Sequence, residues 1–392
     1  MSEMDLLDVE QIDRVVTERL QRLNYCYQCA QCSGVCPMSP LSDFRPRKFM
    51  ILAQLDPEGA MNSELLWQCS TCYACVFVCP QDVKPPEVIT SLRSKLVETG
   101  KLPQEVSDAL TFIYKRGNPW GMAQADRAAW AEGLSLKSYE PGTEWLWYVG
   151  CAPSYDPRNQ NVAKALAQIF QTAGVDFGIL GNDERCCGDS ARRLGEEGLF
   201  QLMAAENSMA FDELEAQKVV VTSPHSYHVM KNEYPKPAKT NGKGRDVRHY
   251  SQLLAQLIEE KKLTFKDPDG DGELTVTYHD PCYLGRRNGV FDEPRFVIES
   301  LPGVELVEMP RHREKSFCCG GGGGRMWIEV KNERERPGVV RVREALETGA
   351  QAIVTTCPFC TIHFDEAIKT LNAEDRIRVI DLAELVGERL AA

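Results

Sequence analysis

A chain of 392 residues, 43% hydrophobic and 26% charged, has the composition of a globular protein able to bury a core in two or three domains. Its net charge of -12 at pH 7 excludes the basic stripe of a nucleic-acid binder, and no apolar run approaches the ~18 residues of a membrane-spanning helix. The 16 cysteines follow no signal-like opening, which makes a secreted disulfide scaffold a poor explanation; metal ligation in a reducing cytoplasm is expected instead.

From the start of the chain, Asp5 to Leu23 sets Leu6, Val9, Ile12, Val16, Leu20 and Leu23 at helical spacing. Basic residues do not dominate its polar face, so a packing helix is predicted and not a membrane-surface one. Cys26, Cys29, Cys32 and Cys36 then form a C-x2-C-x2-C-x3-C-P run ending at Pro37, and Cys69, Cys72, Cys75 and Cys79 repeat it up to Pro80. This is two-cluster ferredoxin spacing, in which three thiolates of one loop and the last cysteine of the other run hold each 4Fe-4S cubane. Cys26, Cys29, Cys32 and Cys79 are therefore assigned to one cluster, and Cys69, Cys72, Cys75 and Cys36 to the other. Zinc would use paired C-x2-C knuckles and leave these closely spaced ladders with too many ligands. A helical pattern from Arg45 to Leu55 fills the gap between the runs, so residues 1–95 are expected to form an α-helical ferredoxin domain. Residues 96–143 lack cysteine, favour helix and break at Gly117-Asn118-Pro119-Trp120-Gly121, which reads as a helical connector.

Residues 144–392 contain a duplication. An apolar strand from Trp145 ends at Cys151; a helix near Asn161 to Ala173, a short strand from Val175 to Leu180 and Cys186-Cys187-Gly188 follow. In the second copy the strand from Leu274 ends at Cys282, with a helix near Arg295 to Ser300 before Cys318-Cys319-Gly320. Each copy continues through a helix into a β-branched strand, Val219 to Thr222 leading to Ser223-Pro224, and Ala352 to Thr356 leading to Cys357-Pro358. The alternation predicts two α/β lobes, 144–235 and 273–392, with mostly parallel sheets and sites at strand ends, giving an α+β multidomain chain. Between the lobes, 236–272 reads as a linker with one helix, Tyr250 to Lys262. Its Asp267-Pro268-Asp269-Gly270-Asp271-Gly272 resembles a calcium loop, but Tyr278 stands where a bidentate Glu is required, so a solvated turn is expected.

In the second lobe Cys282, Cys318, Cys319, Cys357 and Cys360 supply five thiolates, one more than a cubane or a zinc site uses. The Gly320 to Gly324 run lacks the Lys and Ser/Thr of a phosphate loop; its bare backbone suits N–H approach to cluster sulfides. The pattern Cys282, Cys318-Cys319-Gly320, Cys357-Pro358-Phe359-Cys360 resembles the CCG domain of heterodisulfide reductase, and Cys26 to Pro37 with Trp67 to Pro80 resembles that enzyme's small ferredoxin subunit. The chain is thus similar to fused iron-sulfur oxidoreductases of that family, which serve disulfide reduction, sulfite reduction, electron-transferring flavoprotein and quinone, or benzoyl-CoA reductase systems. The resemblance implies a noncubane 4Fe-4S cluster on the five cysteines and thiol or disulfide chemistry there. It also implies partner subunits of flavoprotein or membrane-cytochrome type, with the chain cytoplasmic or peripheral to a membrane complex. A pure relay without bond chemistry is the other reading.

The first lobe departs from the pattern, since Ser223-Pro224-His225-Ser226 replaces Cys-Pro-x-Cys beside Cys151, Cys186 and Cys187. Serine is a poor soft-metal ligand at neutral pH. Three readings stay open: zinc on those cysteines with His225 or His228, a modified or three-cysteine iron-sulfur cluster, and an empty site. His279 and His312 are candidates for a proton relay at the five-cysteine site or for structural hydrogen bonds. Arg286, Arg287 and Arg325 are candidates for steering an anion or offsetting thiolate charge.

Overall fold

The protein is a computed structural model that describes residues 9–235, 244–267 and 273–391, so Leu6 and the calcium-loop-like stretch 268–272 lie outside the described residues. The N-terminal domain is helical: α1 (Val9–Gln21), α2 (Gln31–Val35), α3 (Pro46–Leu55), α4 (Pro57–Met61), α5 (Ala74–Phe77) and α6 (Pro85–Glu98), followed by α7 (Gln104–Arg116) in the connector. The opening amphipathic pattern forms α1, which packs on α6, and Val16 is 1% exposed. The two cysteine ladders adopt one loop conformation twice. Gln28 and Ala30 in the first, and Thr71 and Tyr73 in the second, have φ of 66°, 69°, 50° and 66°. Non-glycine residues persist in this left-handed region only where their surroundings over-determine them, as convergent cysteines would.

The duplication folds as two parallel four-stranded sheets. The first contains β1 (Trp145–Tyr148), β2 (Phe177–Ile179), β3 (Lys218–Val221) and β4 (Asp246–His249) in the order β2-β1-β3-β4. The second contains β5 (Leu274–Tyr278), β6 (Val304–Leu306), β7 (Ala352–Thr355) and β8 (Arg378–Asp381) in the order β6-β5-β7-β8. Leu146 lies beside Val219 in one, and Val276 beside Ala352 in the other. The helices are α8 (Cys151–Tyr155), α9 (Pro157–Thr172), α10 (Asp189–Leu194), α11 (Glu197–Glu213), α12 (Pro224–Asn232) and α13 (Tyr250–Glu259) in the first lobe. Those of the second are α14 (Gly285–Asn288), α15 (Asp292–Glu299), α16 (Pro337–Glu347), α17 (Pro358–Thr370) and α18 (Leu382–Arg389).

The stretch read as a linker is corrected in part. Its residues 246–259 form the edge strand β4 and the helix α13 of the first lobe. A four-residue strand that alternates charge and bulk, Asp246-Val247-Arg248-His249, carries too little periodicity to be seen in a sequence. The lobes also exchange contacts: α13 of the first packs on α15 of the second, and α18 of the second packs on α9 of the first. One apolar core therefore runs through both, joining Trp147, Phe170 and Tyr250 to Tyr278, Val354 and Leu382. Among the described residues no helix is long and apolar enough to cross a membrane.

Candidate redox centres

The two N-terminal cysteine loops exchange their last members. Cys26, Cys29 and Cys32 line one hollow with Cys79, beside Met50 and Val83. Cys69, Cys72 and Cys75 line another with Cys36, beside Met38, Phe44 and Ile89. Four thiols around an apolar hollow are a donor set suited to an iron-sulfur cluster. Exposure falls from one group to the next: Cys29 is exposed, Cys26, Cys32, Cys36 and Cys79 are half-buried, and Cys69, Cys72 and Cys75 are buried. Burial pushes the Cys69 thiol up to about 11 and that of Cys75 well above its usual value, so thiolates at this depth require a cation against them.

The second group abuts the second lobe. Cys72 shares a buried cluster with Cys282, Tyr283 and Cys318, and it hydrogen-bonds with Cys318. Arg286 fastens the junction, donating from Nε to the Cys72 carbonyl at 2.8 Å and from Nη1 to that of Ser316 at 2.6 Å, with its charge toward Cys72, Cys282 and Cys318. Glycine makes the approach possible: a Cβ on Gly322 would lie 2.5 Å from the Ser70 carbonyl oxygen, and one on Gly323 2.3 Å from that of Cys69. Backbone N–H groups of the glycine run approach the cysteine sulfurs, Gly320 N–H to Cys318 Sγ at 3.3 Å and Gly321 N–H to Cys319 Sγ at 3.5 Å.

All five second-lobe cysteines are buried at strand-end loops that face one another. Cys360 Sγ lies 3.3 Å from Cys319 Sγ, Cys282 hydrogen-bonds Cys318, and Cys357 hydrogen-bonds Cys360. His279 joins them, its ligand atom and the sulfurs of Cys319 and Cys360 lying within 4.8 Å of one another. Arg341 Nε donates to His279 Nδ1 at 3.2 Å, which leaves the ring proton on Nε2; burial, then the Arg341 charge, hold the ring far below its usual pKa. His312 is tied to the Met309 carbonyl at 2.8 Å and adds nothing to the sulfur group. Arg287 stacks between Tyr73 and Tyr283, 3.6 and 4.2 Å from the ring centres, and Arg325 donates to the Gly320 and Gln68 carbonyls. These two brace the domain junction. An open groove between Trp327, Arg336, Ile362 and His363 reaches Cys319.

In the first lobe Cys186 hydrogen-bonds both Cys151 and Cys187. Arg127 Nη2 stands 3.4 Å from Cys151 Sγ and pairs with buried Glu184, whose carboxylate accepts from the N–H of Val149 at 2.7 Å and of Gly150 at 2.8 Å. The Cys186 hydrogen bond, opposed by burial and aided by Arg127, brings Cys151 down to about 7. The histidines are engaged elsewhere. His228 Nε2 faces Arg287 at 3.1 Å and Glu233 at 3.3 Å, while its Nδ1 faces Asn232 at 3.1 Å. His225 Nδ1 lies 2.7 Å from Asp189 Oδ2, and its ring hydrogen-bonds Cys357 of the second lobe. Burial alone would lower the His225 pKa; the Asp189 charge and hydrogen bond outweigh it and raise it to about 10. One hollow is nevertheless lined by Cys151, Cys186 and Cys187 together with Asp189 and His225, while His228 lies outside it. Sequence reasoning missed Asp189, Arg127 and Glu184; the signal for the first was its place directly after Cys186-Cys187-Gly188, where the second copy has Gly321.

Residues 145–231 and 276–365 match the cysteine-rich domain family CCG, and residues 22–83 match the 4Fe-4S dicluster domain family. Two such repeats on parallel sheets behind a dicluster domain define an iron-sulfur protein that transfers electrons. Over 328 residues the chain is 33% identical to the D subunit of the dihydromethanophenazine:CoB--CoM heterodisulfide reductase of Methanosarcina barkeri, an alignment covering 82% of this chain and 77% of that one. The protein belongs to this heterodisulfide reductase-like family of iron-sulfur oxidoreductases. It is also 38% identical over 344 residues to the EtfAB:quinone oxidoreductase of Syntrophomonas wolfei, covering 84% of this chain and 47% of that one. It spans about half the length of this and two further curated relatives. A crystal structure of a hypothetical protein from Helicobacter pylori shares the fold, with 10% identity and a TM-score of 0.52 over 98% of this chain and 76% of that one.

Proposed function

We propose that the chain carries electrons inward from a redox partner through three cysteine groups to a buried centre where thiol or disulfide chemistry occurs. Cys26, Cys29, Cys32 and Cys79 hold the outer 4Fe-4S cluster, Cys36, Cys69, Cys72 and Cys75 the middle one, and Cys282, Cys318, Cys319, Cys357 and Cys360 a noncubane 4Fe-4S cluster. When bound, the clusters take up and release single electrons. The observation that carries the reading is the Cys72 contact with Cys282 and Cys318, which leaves no intervening residue between the middle and inner groups. A partner of flavoprotein or cytochrome type docks at the outer group, where Tyr25, Tyr27, Val35 and Phe77 stand exposed beside the cysteines in sequence. A substrate disulfide enters by the groove to Cys319, and two electrons with two protons convert it to two thiols. The neutral His279 ring, with Nδ1 taken up by Arg341, keeps one N–H to hydrogen-bond a thiolate formed beside Cys319 and Cys360, and the two protons come from water in the groove.

The first lobe offers only Cys151, Cys186 and Cys187, with Ser223 and Ser226 in place of two thiols. This favours a second reading, a relay within a flavoprotein-quinone or acyl-CoA reductase system that breaks no bond of its own. Iron, zinc and EPR analysis of anaerobically purified protein, followed by titration with a disulfide and a thiol, separates the two. New paramagnetic signals on thiol addition support bond chemistry; spectra indifferent to thiols leave the relay. Cys357→Ser removes the inner signal and keeps the two N-terminal ones, whereas loss of all three together overturns the ligand division. Zinc or additional iron beyond the three clusters reports the content of the first lobe.

A further inference from the structure

Aligned by their cysteines, the two copies differ in a specific way. Ser223-Pro224-His225-Ser226 matches Cys357-Pro358-Phe359-Cys360, so His225 stands where the second copy has Phe359; Asp189 likewise stands where the second copy has Gly321. The two substituted positions meet each other. His225 Nδ1 and Asp189 Oδ2 are 2.7 Å apart, and Arg193 Nε donates to the other Asp189 oxygen at 2.9 Å. The carboxylate accepts from the Nδ1–H of a ring that is protonated on both nitrogens, which leaves the second N–H as the donor for the second lobe. Tyr283 lies parallel to the imidazole, with ring centres 4.0 Å apart and planes inclined by 26°, and Phe359 covers it at 4.8 Å. Both covering residues are chain neighbours of second-lobe cysteines, Tyr283 of Cys282 and Phe359 of Cys360. His225 is 6% exposed, so water does not compete for its hydrogen bond to Cys357.

We propose that the first lobe, having lost two thiols, has become a positioning device for the second-lobe centre: Asp189 orients His225, and His225 donates a hydrogen bond to the Cys357 sulfur that sets the reduction potential of the group those cysteines hold. This rests on the ligand assignment proposed above. A donor to a ligand sulfur draws electron density from it and favours the reduced state, as hydrogen bonds to cluster sulfurs and outer-shell partners of metal ligands do generally. The geometry repeats the carboxylate-histidine-ligand order of metal sites, with the carboxylate and histidine supplied by one lobe and the thiolate by the other.

The test measures iron content and EPR-monitored midpoint potentials of the full-length holoprotein and three variants. His225→Phe copies the second-copy residue, His225→Gln keeps an N–H donor, and Asp189→Asn keeps the ring but removes the charge that orients it. In His225→Phe the inner centre is expected to become harder to reduce by about tenfold in its one-electron equilibrium constant, ~59 mV, with iron content and both N-terminal midpoints unchanged. His225→Gln recovers part of the shift, and Asp189→Asn moves the same midpoint in the same direction by less. An inner midpoint unmoved in iron-replete His225→Phe and Asp189→Asn overturns the proposal. A parent protein without any inner signal overturns the ligand assignment itself, which separates the two failures.

Discussion

Arg93 lies fully buried in α6 with its guanidinium in the middle of the molecule. It donates to the carbonyls of Leu66 at 2.8 Å, Cys69 at 3.2 Å, Arg193 at 2.7 Å and Gly323 at 2.7 Å, tying the second cysteine loop to both lobes. Burial draws its pKa down to about 10, so it remains charged at neutral pH. Arg93→Ala strands four buried acceptors and is expected to cost about 3–5 kcal/mol, read as a fall in the thermal midpoint of the holoprotein. Arg93→Lys keeps the charge without the planar fork and should recover only a fraction of that loss. The sequence offered a faint sign of this residue: among Val88, Ile89, Leu92 and Leu96, a cation four positions after Ile89 sits on the helix face that must be buried. The cysteine ladders were legible because ligand geometry fixes their intervals. Hydrogen-bond donors such as Arg93, Arg127 and His225 reach partners 24 to 230 positions away, which no local interval records.

At the scale of elements, the Gly320–Gly324 run and the end of β4 each make a prediction. Gly323 has φ +65° and packs on the backbone of Cys69 and Ser70, so Gly323→Ala overpacks the junction between ferredoxin loop and second lobe. A loss of about 1–3 kcal/mol is expected. Both N-terminal clusters should still assemble, while freeze-quench EPR shows slower reduction of the inner centre. His249, at the end of β4, caps α13 by accepting from the Ser251 N–H at 3.3 Å. Burial lowers its pKa from 6.5 to about 3. A depressed histidine contributes stability that is complete above pH 6.5 and lost as pH falls toward 3, about 2 kcal/mol by pH 5. His249→Asn keeps an N-cap and removes the titration. The parent should therefore lose more thermal stability than the variant between pH 7.5 and pH 5. The strands β4, β6 and β8 were not legible in the sequence, because three or four residues at a sheet edge, with one face wet, do not sustain the apolar run that marks β1, β3 and β7.

Across the whole molecule, the duplication and the division between helical ferredoxin and α/β parts could be read from cysteine spacing and from the periodicity of β1, β3, β5 and β7. What could not be read is how the parts meet. The docking of the Cys69–Thr71 loop on the glycine run, and the reach of His225 across the lobes, arise from tertiary packing between segments some 130 to 250 residues apart. The exchanged helices carry a consequence for each half alone. Because α13 rests on α15 and α18 rests on α9, each half covers the apolar side of the other through equivalent elements. A single lobe on its own would leave that side bare in water, a surface that a second copy could cover two-fold through the same helices. Within one chain the two sites need not be identical, and here one carries five thiols while the other carries three with two serines and a histidine.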